Sequence, residues 1–187
     1  MVATNLNKTT TTQKSTQFKL ANLRDLMGNY NLDCYFIPAV DEHLNLYGSE
    51  AKQRRAWISG FTGSAGDLLV NKNSDSWLFV DSRYYEQAEL QVDTSLIKIS
   101  KIGLEENLNL IETLEKLARD ATKNQTNLRL GFDPFTVAVE QFQVWVKKFA
   151  TAGIELVPIA DNLADKVRSQ NLAKTSETLP AIDESPI

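Results

Sequence analysis

Two short stretches of the chain combine charged side chains with a local backbone pattern typical of binding sites. Arg54 to Gly66 carries three glycines in its last seven residues, and glycine at this density predicts tight turns or close approach of another backbone. Asp81 to Arg83 follows a strongly apolar run, and a charged residue just past a buried strand is well placed to reach a ligand or a partner. For Arg83 the alternative is a structural salt bridge with Asp81.

The glycine-rich stretch could in principle cradle a phosphate. It lacks the lysine of a P-loop, however, and it leads into a predicted strand rather than into a helix N-terminus. A structural turn that presents side chains at the edge of a sheet is therefore the favoured interpretation. A small phosphate-binding α/β protein remains as an alternative function.

The chain has one histidine and one cysteine, which limits the catalytic chemistry it could perform. Asp41, Glu42 and His43 are adjacent, so they could not converge on one metal ion without distant ligands, and no metal site is predicted. A serine triad would need His43 with Ser64, but a hydrogen-bonded structural histidine is the favoured interpretation. Cys34 lies in an apolar run and is predicted to be a buried, unreactive thiol.

The composition predicts a soluble domain of ordinary type. A length of 187 residues suits one compact domain with a real core. Acidic residues exceed Lys plus Arg by 24 to 20 without a basic stripe, which argues against nucleic acid or an anionic membrane as partner. No apolar run approaches the roughly 20 residues that span a bilayer. Residues 1–15 are polar and predict a flexible tail rather than a signal peptide, and a reducing cytoplasm fits the whole chain.

The apolar periodicity predicts helices that alternate with strands, and hence an α/β fold with a mixed sheet. The segments 68–70 and 77–80 flank a polar stretch and predict a hairpin, which excludes an all-parallel sheet. Both are almost unbroken apolar runs, so we expect cover on both faces. Residues 169–187 are polar and predict a linker. The further predicted strands lie at 34–37, 56–58, 97–102, 128–132 and 156–159, and the predicted helices at 18–30, 84–90, 108–121, 138–149 and from a cap at Asp161 to near Arg168.

Read together, these residues resemble the N-terminal domain of Xaa-Pro aminopeptidases (aminopeptidase P) of the creatinase/prolidase superfamily. The specific match is Arg54 to Gly66 with Asp81 to Ala88, and the similarity covers roughly residues 16 to 168. It is supported by Asp33 to Pro38, Asp41 to His43 and Tyr47, and more weakly by Gly131 to Pro134 and Asp161 to Val167. The resemblance implies a ribonuclease-H-like α/β fold.

The resemblance also implies a role in an enzyme that releases the N-terminal residue preceding a proline. In that family the chemistry belongs to a C-terminal pita-bread domain, where two divalent metals, usually manganese, hold a bridging hydroxide. None of those ligands can be placed in this chain, so we expect no catalytic residue and no activity from it alone. The implied partners are the C-terminal domain of the same polypeptide, a peptide with proline second, and a second copy in a homodimer.

The family pattern places a substrate-contacting arginine at Arg83, whose guanidinium would contact a peptide carbonyl or carboxylate. His43 is expected to support the rim of the same site. The family usually has a glutamate directly before Tyr47, and this chain has Leu46 instead. That departure leaves a second reading open, an interaction module of a catalytically inactive homologue.

Overall fold

A computed structural model describes the backbone of residues 2–177 and the side chains of residues 15–172. Its helices and strands alternate along most of the chain, with short 3-10 turns between some of them. The helices are α1 (Val2–Asn29), α2 (Arg54–Ser59), α3 (Tyr85–Gln91), α4 (Leu110–Lys123), α5 (Val139–Phe149) and α6 (Leu163–Glu177). The strands are β1 (Cys34–Ile37), β2 (Asp67–Asn71), β3 (Ser76–Val80), β4 (Ile97–Lys101), β5 (Leu128–Phe132) and β6 (Ile154–Pro158).

The six strands form one mixed sheet in the order β4-β3-β2-β1-β5-β6. Strand β2 runs antiparallel to both β1 and β3, whereas the β3–β4, β1–β5 and β5–β6 pairs are parallel. Five strands therefore point the same way, and only β2 is reversed. The predicted mixed sheet, including the β2–β3 hairpin, is confirmed.

Alternation along the strands divides the core into two layers, one on each face of the sheet. On β1, Tyr35 and Ile37 face a cluster built with α1, α2, α3 and α6, while Cys34 and Phe36 face a cluster built with α4 and α5. All four side chains are buried, as a strand covered on both faces requires. Cys34 is buried, as predicted, and burial raises the pKa of its thiol to about 12.

Residues 56–58, predicted as a strand, belong instead to helix α2. The run is too short for its periodicity to separate a strand from a buried helical turn. Gly60 ends the helix at φ 79°, and its N–H donates to the carbonyl of Ala56 at 2.8 Å, the usual role of a glycine after a helix. Trp57 consequently packs against the α1 side of the core instead of lying within the sheet.

The two terminal helices are longer than the sequence predicts. Helix α1 begins at Val2, within the residues 1–15 for which the composition predicts a flexible tail, because each residue added to a packed helix gains a hydrogen bond without a new nucleus. Helix α6 runs on to Glu177 through the first nine residues of the predicted linker, and residues 178–187 lie outside the described part of the chain. Its first turn is capped by Asn162 rather than Asp161, since the Asn162 side chain accepts from the Ala164 N–H at 3.0 Å.

Within residues 2–177, no helix combines the length and the apolar character that crossing a bilayer requires.

Candidate functional site

The charged stretches singled out in the sequence gather at one edge of the sheet. The carboxyl ends of the five parallel-running strands lie there, together with the start of β2 and the glycine-rich stretch before it. From β1 the chain adds β2, β3 and β4 on one side and then returns to add β5 and β6 on the other. The crevice at such a reversal is where open α/β sheets bind ligands.

A cleft of about 810 Å³ opens at this reversal, beyond the ends of β1, β5 and β6. Its lining includes four carboxylates and three basic side chains, so it is strongly polar. Phe135 adds an apolar wall that is 63% exposed. The charged lining residues are Glu42, His43, Arg54, Asp133, Asp161, Asp165 and Lys166.

Arg54 is the central charge of the cleft, and it is only 6% exposed. Its Nε and Nη2 donate to the Asp165 carboxylate at 2.8 to 3.0 Å, and its Nη1 reaches Glu42 Oε2 at 3.5 Å. Burial by itself lowers the pKa of Arg54, but the hydrogen bonds and charge of Asp165, with Glu42, outweigh it and raise the pKa above its ordinary value. Arg54 is thus a fixed cation that ties α2 to α6 and to the loop after β1.

Asp133 forms the floor beside this ion pair and is 3% exposed. One carboxylate oxygen accepts from the Phe135 N–H at 2.9 Å, and the other accepts from the Asn162 side-chain amide at 2.9 Å. Both carboxylate oxygens therefore have donors, so Asp133 serves to join the ends of β5 and β6.

Arg55 enters a different environment, the glycine-rich turn of residues 60–66. It is also 6% exposed, but its donors meet backbone carbonyls: Nη1 donates to Gly66 O at 2.6 Å and Nη2 donates to Gly63 O. Its Nε has no hydrogen-bond partner, and the Phe61 ring lies 4.9 Å from the guanidinium. Burial lowers the pKa of Arg55 to about 10.

This arrangement contradicts the phosphate-cradle interpretation of the turn. A phosphate site needs backbone N–H groups that converge on the anion. Here two of the turn's carbonyls converge on a buried cation instead. The glycines are required for space as well: a Cβ on Gly63 would lie 2.3 Å from Phe61 Cζ, and Gly66 adopts φ +124°.

Arg83 lies at the same edge, after β3, and its side chain is 69% exposed. Asp81 holds it through two hydrogen bonds, from Nε at 3.0 Å and from Nη2 at 2.7 Å, and also accepts from the Arg83 N–H. The guanidinium lies 5.3 Å from the Tyr84 ring centre. The salt bridge expected as an alternative is therefore present. It engages Nε and Nη2, and within residues 15–172 Nη1 makes no hydrogen bond.

His43 lines the cleft and is exposed, and within residues 15–172 its imidazole makes no hydrogen bond. The prediction of a hydrogen-bonded structural histidine is therefore wrong. Asp41 is the ordering residue of this loop instead, because its Oδ1 accepts from the N–H groups of His43 and Asn45, both at 2.9 Å. Ser64 does not meet His43; its hydroxyl pairs with the Tyr84 hydroxyl at 2.5 Å, so no triad forms.

The predicted site residues thus share one edge but not one pocket. His43 borders the cleft, whereas Arg83 stands beside the glycine turn with Tyr84. Among the described residues, no group of three or more His, Cys, Asp or Glu side chains is placed to hold a metal ion. Each of the four cleft carboxylates already has a partner: Glu42 and Asp165 pair with Arg54, Asp133 accepts from Asn162, and Asp161 pairs with Lys166. A two-metal hydrolytic centre therefore does not fit this part of the chain.

Sequence reasoning missed the cleft's own ion pair. Asp165 appeared only within a weak motif match, and Arg54 only as one of two adjacent arginines. A signal did exist, because Arg54, at the start of α2, and Asp165, in the first turn of α6, both lie in stretches that resemble the family. Their contact, however, joins residues 111 positions apart and follows from the strand order alone.

Comparison with known proteins places this geometry in a family. Residues 19–170 match the creatinase/prolidase N-terminal domain. The chain is 35% identical over 154 residues to human Xaa-Pro aminopeptidase 2 and 37% identical over 158 residues to the pig protein of that name. These alignments cover 82% and 83% of this chain but only 21% and 22% of the relatives, so the chain spans about one fifth of their length.

Solved structures agree with the sequence comparison. The X-prolyl aminopeptidase of Caenorhabditis elegans, described as a cytosolic enzyme with a di-nuclear active site, superposes with a TM-score of 0.72 at 26% identity. That alignment covers 81% of this chain and 25% of the nematode enzyme. The isolated N-terminal domain of a Mycobacterium tuberculosis peptidase, PepQ, shares the fold with a TM-score of 0.57 at 22% identity, over 80% of this chain and 98% of that domain. This chain therefore belongs to the creatinase/prolidase N-terminal domain family, in the form that Xaa-Pro aminopeptidases carry.

Proposed function

We propose that this domain is the N-terminal part of a longer, cytoplasmic Xaa-Pro aminopeptidase that releases the residue preceding a proline. Residues 16–168 would form the domain, and residues 169–187 would lead toward a pita-bread domain. That missing domain would supply the hydrolytic chemistry through two divalent metal ions, usually manganese in the family. The domain described here would narrow the substrate channel and support a homodimer.

The observation that carries this proposal is that the Arg83 side chain is held in place by Asp81 and is nevertheless exposed. Asp81 fixes its orientation through Nε and Nη2, and Nη1, which makes no hydrogen bond within residues 15–172, remains free to donate to an oxygen of a bound peptide. A side chain ordered in this way loses less conformational entropy on binding than a free arginine. The similarity to Xaa-Pro aminopeptidases supports the proposed reaction class.

His43 would contribute to the rim of the channel in a lesser role. It borders the cleft at the carboxyl ends of β1 and β5, and its imidazole has no other hydrogen bond in the described part of the chain. It is therefore available to a peptide or to the adjoining domain.

The test uses the longer protein with an Xaa-Pro peptide. Replacing Arg83 with alanine should lower kcat/KM by about 10- to 100-fold, the usual cost of one hydrogen bond to a charged group. Arg119→Ala is the matched control, because it removes an exposed arginine from α4, on the other layer of the fold. An Arg83→Ala enzyme with unchanged kcat/KM would remove Arg83 from the site.

The division of labour between domains needs a separate measurement. The 187-residue chain with added manganese should not hydrolyse Xaa-Pro peptides, because its described carboxylates do not assemble a metal cluster. Turnover above that of manganese alone would contradict the proposal.

A second candidate is an interaction module in a homologue that has lost peptidase activity. It is favoured by the loop after β1, where Leu46 replaces the usual glutamate and lies exposed beside Tyr47, which is 83% exposed. Hydrolysis by the longer protein would exclude it, and metal ligands absent from the remainder of the coding sequence would favour it.

A further inference from the structure

A small pocket lies between the glycine turn and the loop after β1. Its volume is about 60 Å³, so it holds a few atoms rather than a whole residue. Its lining combines Leu46 and Tyr47 from the loop with residues 62–64 from the turn, and Arg55 borders it as well. It shares no lining residue with the cleft of Arg54, so it is a separate place on the same edge of the sheet.

The charge of this pocket is positive. Of the described residues that line it, Arg55 is the one whose side chain is ionised at neutral pH. Arg55 is buried and forms no ion pair within residues 15–172, and its Nε has no hydrogen-bond partner. The nearby Asp67 offsets the burial only in part, because the pKa of Arg55 is still lowered to about 10. A cation with so little compensation favours an anion in the adjoining space.

Two unused donors lie beside the pocket. Ser64, in its lining, pairs with the Tyr84 hydroxyl, and the Arg83 guanidinium lies 5.3 Å from the Tyr84 ring centre. Tyr47 is 83% exposed, and its hydroxyl makes no hydrogen bond within residues 15–172. The pKa of Arg83 is raised chiefly by its hydrogen bond with Asp81 and to a small extent by Tyr47, as expected if the two side chains are close. The Tyr47 hydroxyl and Arg83 Nη1 are thus available to one acceptor.

We propose that this pocket accepts a carboxylate from the part of the peptide after the proline, and that the enzyme therefore prefers acidic peptides. That part leads away from the bond that is cleaved, so it is the part that reaches a domain whose described side chains assemble no metal centre. Leu46 sets the preference, because this lining residue is 45% exposed and carries no charge to oppose Arg55. The inference rests on the proposed function and names its substrate class.

The experiment compares kcat/KM of the longer protein for the peptides Ala-Pro-Glu, Ala-Pro-Ala and Ala-Pro-Lys, all with amidated C-termini. The Glu peptide should exceed the Lys peptide by about tenfold, with the Ala peptide between them, because one charge is attracted and the other repelled. Ala-Pro-Ala with a free C-terminus tests the other source of a carboxylate. A gain for the Glu amide assigns the pocket to the side chain, and a gain for the free acid alone assigns it to the C-terminus.

Substitutions of Leu46 test whether the preference arises in this pocket. Leu46→Glu should reverse it, because a carboxylate in the lining neutralises Arg55 and repels an acidic peptide. Leu46→Gln, of similar size but uncharged, should keep it. Leu44→Glu is the matched control for charge, because Leu44 belongs to the same loop and is 48% exposed but does not line the pocket. High salt should weaken the preference of the wild type.

Two results would overturn the inference and leave the proposed function standing. One is hydrolysis of all four peptides at equal kcat/KM, and the other is a Leu46→Glu enzyme with the same preference as Leu46→Gln. A longer protein that hydrolyses none of the peptides would contradict the proposed function, and the inference would fail with it.

Discussion

Arg54 and Arg55 are adjacent in sequence and equally buried, yet they stabilise the fold in different ways. Arg54 donates to the carboxylates of Asp165 and Glu42 across a cleft, whereas Arg55 donates to two carbonyls inside the glycine turn. The pKa of Arg54 is raised, mainly because Asp165 compensates its burial. The pKa of Arg55 is lowered to about 10, because burial is compensated only in part.

The difference shows that two arginines of one motif need not belong to one site. Arg54 links elements that are distant in sequence, so its role depends on the arrangement of the strands. Arg55 organises residues that follow it within one turn, so its role is local. The cleft therefore depends on contacts between distant elements, whereas the turn is a local support beside Tyr84 and Arg83, the residue proposed to contact the substrate.

The largest effect should come from breaking the turn around Arg55. In Gly66→Ala, the new Cβ would lie 2.8 Å from Phe79 O, at a φ of +124° that alanine rarely adopts. We expect a loss of about 3 kcal/mol in the free energy of unfolding, from strain and overpacking together. Urea unfolding followed by circular dichroism measures this loss.

Gly28→Ala is the matched control for the turn variant. Gly28 lies within α1, where a Cβ would meet only the Lys72 side chain at 3.7 Å. Alanine there should stabilise the chain by about 0.5–1 kcal/mol. Equal effects of the two substitutions would show that the turn around Arg55 is not rigid.

A smaller loss should follow from breaking the ion pair of Arg54. Removing one partner of a fully buried pair costs about 3–5 kcal/mol, but the Asp165 side chain is 39% exposed, so we expect about 2 kcal/mol for Asp165→Asn. Solvent at that side of the pair can partly replace the lost carboxylate.

A double-mutant cycle tests whether the two arginines are independent. In an Arg54→Met background, Asp165→Asn should have little further effect, since the buried cation is already gone. In an Arg55→Met background it should keep its full effect, because Arg55 makes no bond to Asp165. A cycle that couples Asp165 equally to both arginines would contradict the separation of the cleft from the turn.

The parts of the fold that rest on local pattern could be predicted from the sequence. The apolar runs at 34–37 and 77–80 became buried strands. Residues 54–59 could not be assigned correctly, because three apolar residues fit a strand and a helical turn equally well. The glycine after them was the decisive signal.

The candidate site was predictable in part, for a related physical reason. The carboxylate of Asp81 lies two residues from Arg83, so their pairing was foreseeable from sequence distance alone. Asp165 meets Arg54 only because β6 ends beside β5 and β1. His43 was wrongly predicted to be a hydrogen-bonded structural histidine. Asp41 orders its loop by accepting from the His43 backbone N–H, and the imidazole itself is exposed.

The smallest effect is the change in the free energy of unfolding as the pH falls. The carboxylates of the two regions should contribute to this change with opposite signs. The pKa of Glu42, beside Arg54, is lowered chiefly by its hydrogen bond with Lys52, so its stabilising contribution is full above the unfolded value of 4.5 and is lost as the pH falls through the lower, folded value. The pKa of Asp67, near Arg55, is raised by burial, so its ionisation opposes folding at neutral pH, and this opposition is relieved as the pH falls toward 3.8.

Unfolding of two variants between about pH 7 and about pH 3 separates these contributions. Glu42→Gln should be less stable than the wild type at neutral pH, and the difference should shrink in acid. Asp67→Asn should be more stable than the wild type at neutral pH, because its amide oxygen can still accept from the Ala39 N–H without a buried charge, and this difference should also shrink in acid. If both variants shifted stability in the same direction at neutral pH, the cleft and the turn would share one electrostatic environment, and the contrast between Arg54 and Arg55 would reduce to their hydrogen-bond partners.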